Sequence, residues 1–381
     1  MADLSAKNLA IEEETIAEKG ASIATPRQLM WWKFKKHHVA MVSAIILILF
    51  YVVALFSDFV GPYNPEKTNA KTKFVPPQAI SFINGEGKFS LRPGVYGLIE
   101  ERDPETLRRT FHVDKSVWHP IYFIVRGDPY KMWGLWESDI HLFGLDKESD
   151  GVIFLLGSDR LGRDMVSRII HGGKISLSIG LLSVFLSLIL GIVLGGLSGY
   201  YGGMVDNIIQ RIIEFIRSIP SLPLWMALSA ALPPGWPQTL RYFGITLILS
   251  ILGWTGLGRQ VRGRFLSLRN EDFVLAARLS GARDFRVIIQ HMVPSFMSHI
   301  IASLTLSIPG IILAETSLSF LGLGLRQPVI SWGVLLQEAQ NIRTVALAPW
   351  LMIPGLAVVI TVLAFNFLGD GLRDAADPFG R

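Results

Sequence analysis

The sequence predicts an all-α polytopic membrane protein with six transmembrane helices and one long loop outside the membrane. Three observations carry that prediction. Half of the 381 residues are hydrophobic and only 18% are charged, a balance typical of membrane proteins. Six stretches reach or approach the roughly 20 apolar residues that cross a hydrocarbon core. Lysine and arginine cluster beside those stretches, which is a topology pattern and not a nucleic-acid stripe. The net charge of +5 is modest for this length, and the absence of cysteine excludes disulfides, thiolate nucleophiles and cysteine-bound metal centres.

The N-terminal segment 1–38 carries Glu12, Glu13 and Glu14 and meets its first apolar run only at Val39. That layout predicts a retained anchor over 39–60 and not a cleaved signal peptide. Residues 61–156 follow as a long insertion. Its start, with Pro62, Pro65, Pro76 and Pro77, reads as a linker, and 116–136, SVWHPIYFIVRGDPYKMWGLW, is aromatic and β-branched with turn signals. A small strand-containing subdomain is expected there, the alternative being an extended loop lying on the spans. Further spans are expected over 175–197, 205–232, 242–257, 296–323 and 350–368. The third is interrupted by Pro220 and Pro223, whose freed backbone groups need partners in the protein or in a water-filled cavity.

Arg27, Lys33, Lys35 and Lys36 precede the first span, and Arg259, Arg262, Arg264, Arg269, Arg278, Arg283 and Arg286 lie between the fourth and fifth. Both regions are therefore expected in the cytoplasm, together with the tail 370–381, which carries Arg373 and Arg381. The insertion then lies on the opposite, extracytoplasmic side.

Within the cytoplasmic loop 265–294 the residues predict two short helices. Asn270 can cap the first, with Glu271 and Asp272 at the positive end of its dipole. Val274, Leu275, Ala277 and Leu279 supply apolar contacts, and Gly281 fits the left-handed residue that ends a helix. Asp284 can cap the second, in which Phe285, Ile288, Ile289 and Met292 recur at helical spacing, and Pro294 closes it. The product is a compact bracket with small side chains, suited either to docking another protein or to covering the ends of the bundle.

Ionisable residues inside spans cost about 2.5–3.5 kcal/mol at a helix centre and are functional candidates. Glu315 is the clearest, either as a proton-coupling carboxylate or in a structural or pathway role with Thr316 or Ser317. Arg211, Glu214 and Arg217 repeat at helical spacing and can form an ion-pair ladder. Arg217, Ser218 and Ser221 are the candidates for a translocation pathway. The histidines His37, His38, His112, His119, His141 and His299 show no ligand spacing, and no metal site is expected. No G-x4-G-K-[ST] phosphate loop occurs, Gly173-Lys174 lacking both the hydroxyl residue and the glycine spacing, so energy must come from a partner or an ion gradient.

Ala276, Ala277, Gly281 and Pro294 match the A-A-x3-G-x12-P spacing of the EAA loop, and His291, Val293 and Pro294 resemble the H-x-L-P ending of one branch. The segment 157–177, GSDRLGRDMVSRIIHGGKISL, is similar to the G-T-D-x-x-G-R-D-x-x-S-R segment of the same branch, and SGYYGGMVD, SIPSLPL, ETSLSFLGLG and GDGLRDAADP follow in order. On these residues the chain resembles the C-type permease subunits of ATP-binding-cassette importers of the dipeptide, oligopeptide and nickel branch. It departs at Leu275, where the loop usually has glutamate, and 66–156 is longer than the branch leads one to expect.

The resemblance implies the type I importer permease fold, with a permease core over 157–369. It implies a homologous permease as partner, one or two ATPase subunits holding ATP and magnesium, and an extracytoplasmic solute-binding protein, in a bacterial inner membrane. Ala276, Ala277, Gly281, Asp284, His291 and Pro294 would couple to the ATPase. Asp159, Arg160, Arg163, Asp164 and Arg168 would receive the binding protein, unless they form internal pairs. Members of the branch carry peptides, nickel complexes, oligosaccharides or opines. Two other classes stay open: a secondary transporter driven through Glu315, and a membrane-anchored enzyme or assembly factor using 61–156.

Overall fold

The computed structural model describes residues 26–102, 104, 109–146, 149 and 151–376. The acidic start with Glu12, Glu13 and Glu14 and the tail residue Arg381 lie outside them. A short helix α1 (Pro26–Lys36) leads into α2 (His38–Leu55), with the His37 ring accepting from the Ala40 amide at the joint. A single turn, α3 (Ser57–Val60), ends the first apolar segment.

Between α3 and the next long helix the chain forms five strands, so the all-α expectation holds for the membrane part alone. β1 (Ile80–Ile83), β2 (Phe89–Arg102) and β3 (Arg109–Pro120) make an antiparallel sheet in that order, and β4 (Tyr122–Met132) and β5 (Trp136–Gly144) make a separate hairpin. The stretch 116–136, rich in aromatic and β-branched residues that suit a pleated surface, supplies the end of β3 and all of β4. Val95, Ile121 and Ile153 form the small core of this region, against Tyr63 and Phe143. The hairpin is fastened by His141, whose two ring nitrogens meet the carbonyls of Gly61 at 2.6 Å and Asp128 at 2.9 Å, and by the Lys67–Asp128 ion pair at 2.6 Å.

The second span is far longer than its apolar run. α4 (Met165–Tyr201) has 37 residues, begun by Asp164, whose carboxylate accepts from the Ser167 amide at 2.7 Å. The expected third span is two helices, α5 (Gly203–Ser218) and α6 (Ser221–Ala230), parted at Pro220. Neither is long enough to cross alone. Then come α7 (Gln238–Leu268), the bracket helices α8 (Asp272–Leu279), α9 (Asp284–Arg286) and α10 (Val293–Ser295), and α11 (Met297–Phe320). After α12 (Trp332–Gln337) and α13 (Ile342–Leu347), the last described element is α14 (Ile353–Ala376). Among the described residues five segments are long and apolar enough to span a membrane: α2, α4, α7, α11 and Pro349–Ala376.

The helices bury small residues against one another and turn large ones outward. Leu181, Phe185, Ile189 and Val193 are exposed along one stripe of α4, and Leu240, Phe243, Leu247 and Ile251 along α7. A soluble protein rarely exposes so much contiguous apolar surface, whereas in a bilayer it faces lipid. The inner stripe of α4 carries Gly191, Gly195 and Gly199. A Cβ on Gly195 would collide with the carbonyl of Gly258 in α7, and one on Gly199 would sit 2.7 Å from the carbonyl of Arg262. This small-residue spacing brings two backbones into contact, the packing that holds helices together where water cannot drive it. Ser187 completes the seam by donating to the Ser250 carbonyl at 3.0 Å. The start of α2 and the end of α14 meet through Ala40 and Ala375 in a small cluster with Phe34.

Candidate functional site

The bracket sits at the end of α4 and α7 that is remote from the strands. α8 closes at Ser280, and Gly281 follows with φ +81, the left-handed conformation expected of it. From Asp284 to Ser295 the chain stays helical through a π-type stretch (Val287–Met292). Val274, Val287, Met292, Val293 and Phe296 are buried with Phe265 and Val261 of α7 and Tyr200 of α4. The bracket is thus packed onto two long helices.

Two expected caps do not form. The cap residue of α8 is Glu271 and not Asn270, because the chain makes an extra turn after α7 before α8 begins at Asp272. The residue preceding the second helix is Arg283, and Asp284 is its first residue. The carboxylate of Asp284 is engaged instead by two tyrosines at the end of α4: Tyr200 donates at 2.6 Å and Tyr201 at 3.1 Å. The Arg278 guanidinium lies over the Tyr200 ring at 4.7 Å. A second clasp, bidentate from Arg262 to Asp206 at 2.5 and 2.6 Å, joins α7 to α5, and Ser198 of α4 donates to the same carboxylate. The tyrosine–Asp284 and Arg262–Asp206 partners lie 56 to 84 residues apart, so no local spacing points to them.

Ala276, Gly281, Asp284, His291 and Pro294 are exposed and Ala277 is half-buried. Two large apolar side chains, however, are open as well. Leu279 is 90% exposed and Phe285 76%, on either side of Gly281. Leu275 and Leu279, expected to pack inward, face out, because in so short a helix one residue, Val274, already fills the contact with α7. The bracket is an apolar knuckle with a small-residue notch, and an exposed patch of that kind marks a protein contact.

The candidate pathway residues separate. Arg217, Ser218 and Ser221 are exposed at the break between α5 and α6. The ladder is shorter than expected, since Arg211 pairs with Glu214 at 2.8 Å while Arg217 lies 4.0 Å from the Cβ position of Gly256. Glu315 is not on a pathway: it is fully buried. Ser319 donates to it at 2.8 Å and Ser176 of α4 at 3.1 Å. Its partners are therefore not Thr316 or Ser317. Ser176 also accepts from the Trp332 amide at 3.1 Å, so this polar knot ties α4, α11 and the start of α12.

At the strand end of α4 the five residues expected to receive a binding protein are mostly inside. Asp159, Arg163, Asp164 and Arg168 are buried and only Arg160 is exposed. Arg163 reaches Asp159 at 2.6 Å and Glu338 at 3.1 Å, and Arg168 lies 3.3 Å from Asp159 and 3.9 Å from Glu338. Two carboxylates and two guanidiniums close on one another, the internal pairing that the spacing allowed. Burial raises the Glu338 carboxyl above its ordinary value, with the Asp159 charge adding to the rise against Arg168 and Arg163. Glu338 was not among the expected site residues; it lies 175 residues from Arg163, and only the fold joins them. Beside this cluster opens a polar cleft of about 570 Å³ lined by Arg160, Arg326, Gln327, Gln337, Glu338 and Thr344.

An exposed apolar bracket at one end, a charged cleft at the other and lipid-facing helices between them make up a membrane-embedded chain. Residues 191–379 match the family described as the binding-protein-dependent transport system inner membrane component, and residues 25–77 match the N-terminal transmembrane domain of oligopeptide transport permease C. The chain is 39% identical over 224 residues to the dipeptide transport system permease protein DppC of Bacillus subtilis (strain 168), covering 58% of this chain and 68% of that protein. It is 37% identical over 246 residues to the oligopeptide transport system permease protein OppC of Haemophilus influenzae, covering 64% and 76%. It is 31% identical over 361 residues to the glutathione transport system permease protein GsiD of Escherichia coli O1:K1 / APEC, covering 94% and 93%. Among solved structures it is similar to a chain of the inward-facing MetNI methionine ABC transporter, with a TM-score of 0.43 and 16% identity over 55% of this chain and 97% of that one. The chain belongs to the family of binding-protein-dependent ABC importer permeases, in its peptide-type C branch. It is a membrane transport subunit and not an enzyme, of a family that works with ATPase and binding-protein partners.

Proposed function

We propose that this chain forms half of the translocation pathway of an ATP-driven importer of short peptides or peptide-like solutes such as glutathione. A homologous permease forms the other half, with Arg217, Ser218 and Ser221 lining the path between them. In this reading the chain crosses the membrane six times, the third crossing being the broken pair α5 and α6. The bracket and both termini lie in the cytoplasm, in a bacterial inner membrane. ATP and magnesium are bound by one or two ATPase subunits under the bracket, and a solute-binding protein meets the opposite side, where Arg160 and Arg326 offer charge for steering and register.

The observation that carries the reading is the knuckle: Leu279 and Phe285, the most exposed large apolar side chains of the bracket, flank Gly281 while the buried face is keyed into α4 and α7. Such an element passes rigid-body motion of a partner into the spans. Glu315 supports no proton-coupled alternative, since serine hydroxyls enclose it inside a single chain. The sequence holds no cysteine, so Leu279→Cys gives one defined attachment point. In the assembled complex a short bifunctional reagent at that position is expected to cross-link the ATPase subunit. Cross-linking to the ATPase from Glu86→Cys on the strand side, and none from position 279, would overturn the assignment.

A further inference from the structure

The turn between β4 and β5 is Trp133-Gly134-Leu135, bounded by Met132 and Trp136. Trp133 and Gly134 both have positive φ, 51 and 73, and the Leu135 amide donates to the Met132 carbonyl at 3.0 Å. This is the tight turn with two left-handed residues that joins antiparallel strands, and its first position favours asparagine or glycine. A tryptophan there is strained. Its position is fixed, because the Trp133 indole N–H donates to the Leu55 carbonyl at 2.9 Å and its ring stands 5.6 Å from Phe56. Trp136 packs edge-on against Trp133 at 5.6 Å. Even so, Leu135 is 72% and Trp136 61% exposed.

Leu55 is the last residue of α2, whose 18 residues span ~27 Å, close to the ~30 Å thickness of the hydrocarbon core. The polar boundary lies three residues on, where Asp58 pairs with His171 at 3.1 Å and Lys174 at 3.6 Å. From Gly61, which meets His141, to Leu55, which meets Trp133, the chain runs toward the membrane, and the hairpin descends beside it. Its tip therefore reaches the depth at which α2 leaves the hydrocarbon. Ile48, Val52 and Leu55 of α2 are exposed, and Trp133, bonded to the Leu55 carbonyl, joins that end of the helix to Trp136. One pair further up, Lys131 and Glu137 are bridged at 2.9 Å and solvent-exposed. Two indoles and a leucine below a lysine match the order of a bilayer interface, aromatic and apolar groups at the headgroup boundary with a cation among the phosphates.

We infer that the β4–β5 tip is a lipid-binding anchor: Trp133, Leu135 and Trp136 insert at the headgroup layer beside the end of α2 and pin the strand region to the membrane. The inference needs α2 to be in the bilayer and is independent of the substrate and of which side faces the cytoplasm.

The chain has no cysteine, so spin labels can be placed singly at Leu135→Cys, Glu86→Cys and Leu49→Cys in the full complex, reconstituted in phosphatidylethanolamine and phosphatidylglycerol liposomes. Accessibility to oxygen, which concentrates in lipid, is compared with that to a water-soluble nickel chelate. The label at 135 is expected to favour oxygen severalfold, shallower than the label at 49, while that at 86 favours nickel. Nickel accessibility at 135 equal to that at 86 would place the tip in water and overturn the inference. Protection from both reagents at 135 would also overturn it, by showing a protein partner on the tip. If 49 also favours nickel, the span assignment of α2 falls and the anchor with it.

Discussion

Glu315 is held by serine hydroxyls of α4 and α11, so its oxygens act as acceptors around which helices are joined. Glu315→Gln keeps the shape and one acceptor, and uptake by the complex is expected to stay within about threefold. Glu315→Ala leaves the hydroxyls without their acceptor and should cost roughly 2 kcal/mol, read as a lower unfolding temperature. Loss of uptake in Glu315→Gln with an unchanged unfolding temperature would show that the carboxylate carries protons after all. Asp164 supplies a pH dependence. Burial pushes its carboxyl up to about 6, against the hydrogen bonds from Ser167. The folded value lies above the unfolded one of about 3.9, so the stability it contributes is complete below pH ~4 and is lost as pH rises through ~6. Asp164→Asn, which keeps an acceptor for the Ser167 amide, should flatten the fall in unfolding temperature between pH 4 and 6.5; an unchanged slope would assign it to other groups. Gly281 was legible because a left-handed helix end has a chemical signature. The Tyr200–Asp284 contact was not, since nothing at either residue records a partner 84 positions away.

At the scale of elements, the α4–α7 seam depends on absent side chains. Gly195→Leu has no room against Gly258 and should separate the helices, costing about 3 kcal/mol or preventing assembly; the amount of intact complex recovered in mild detergent reads this directly. Wild-type recovery and unfolding temperature would refute close approach there. Helix existence was readable from apolar runs, but lengths were not. α4 continues through His171 and Lys174 to Met165 because Asp58 partners both side chains, and a hydropathy window stops at such residues. The proline break at 220 was predicted from chemistry alone. The strands of 80–102 were missed because Gly94 and Gly97 and the charged end of β2 weaken the alternation that marks a strand.

For the whole molecule, lipid-facing stripes, a bracket at one end and strands at the other give the chain two chemically different poles. Labelling of Glu86→Cys in intact cells by a membrane-impermeant maleimide, with Leu279→Cys protected until the membrane is opened, is the expected topology result; the reverse pattern would invert the chain. Positive charge in the short loops is what the expected sidedness rests on. The charged segment entering α4 left docking and internal pairing both open, since a sequence shows that Asp159, Arg163 and Arg168 are ionisable but not that Glu338 folds back to bury them. α4 runs unbroken for 37 residues, ~55 Å of helix, from that buried ion cluster to the tyrosines that grip Asp284. Keyed by charge at both ends, it would act as a lever in the proposed importer: tilting the knuckle by about 5° would carry the far end through about 5 Å at that length, enough to reshape the cleft beside Arg160 without a relay of small rearrangements between them.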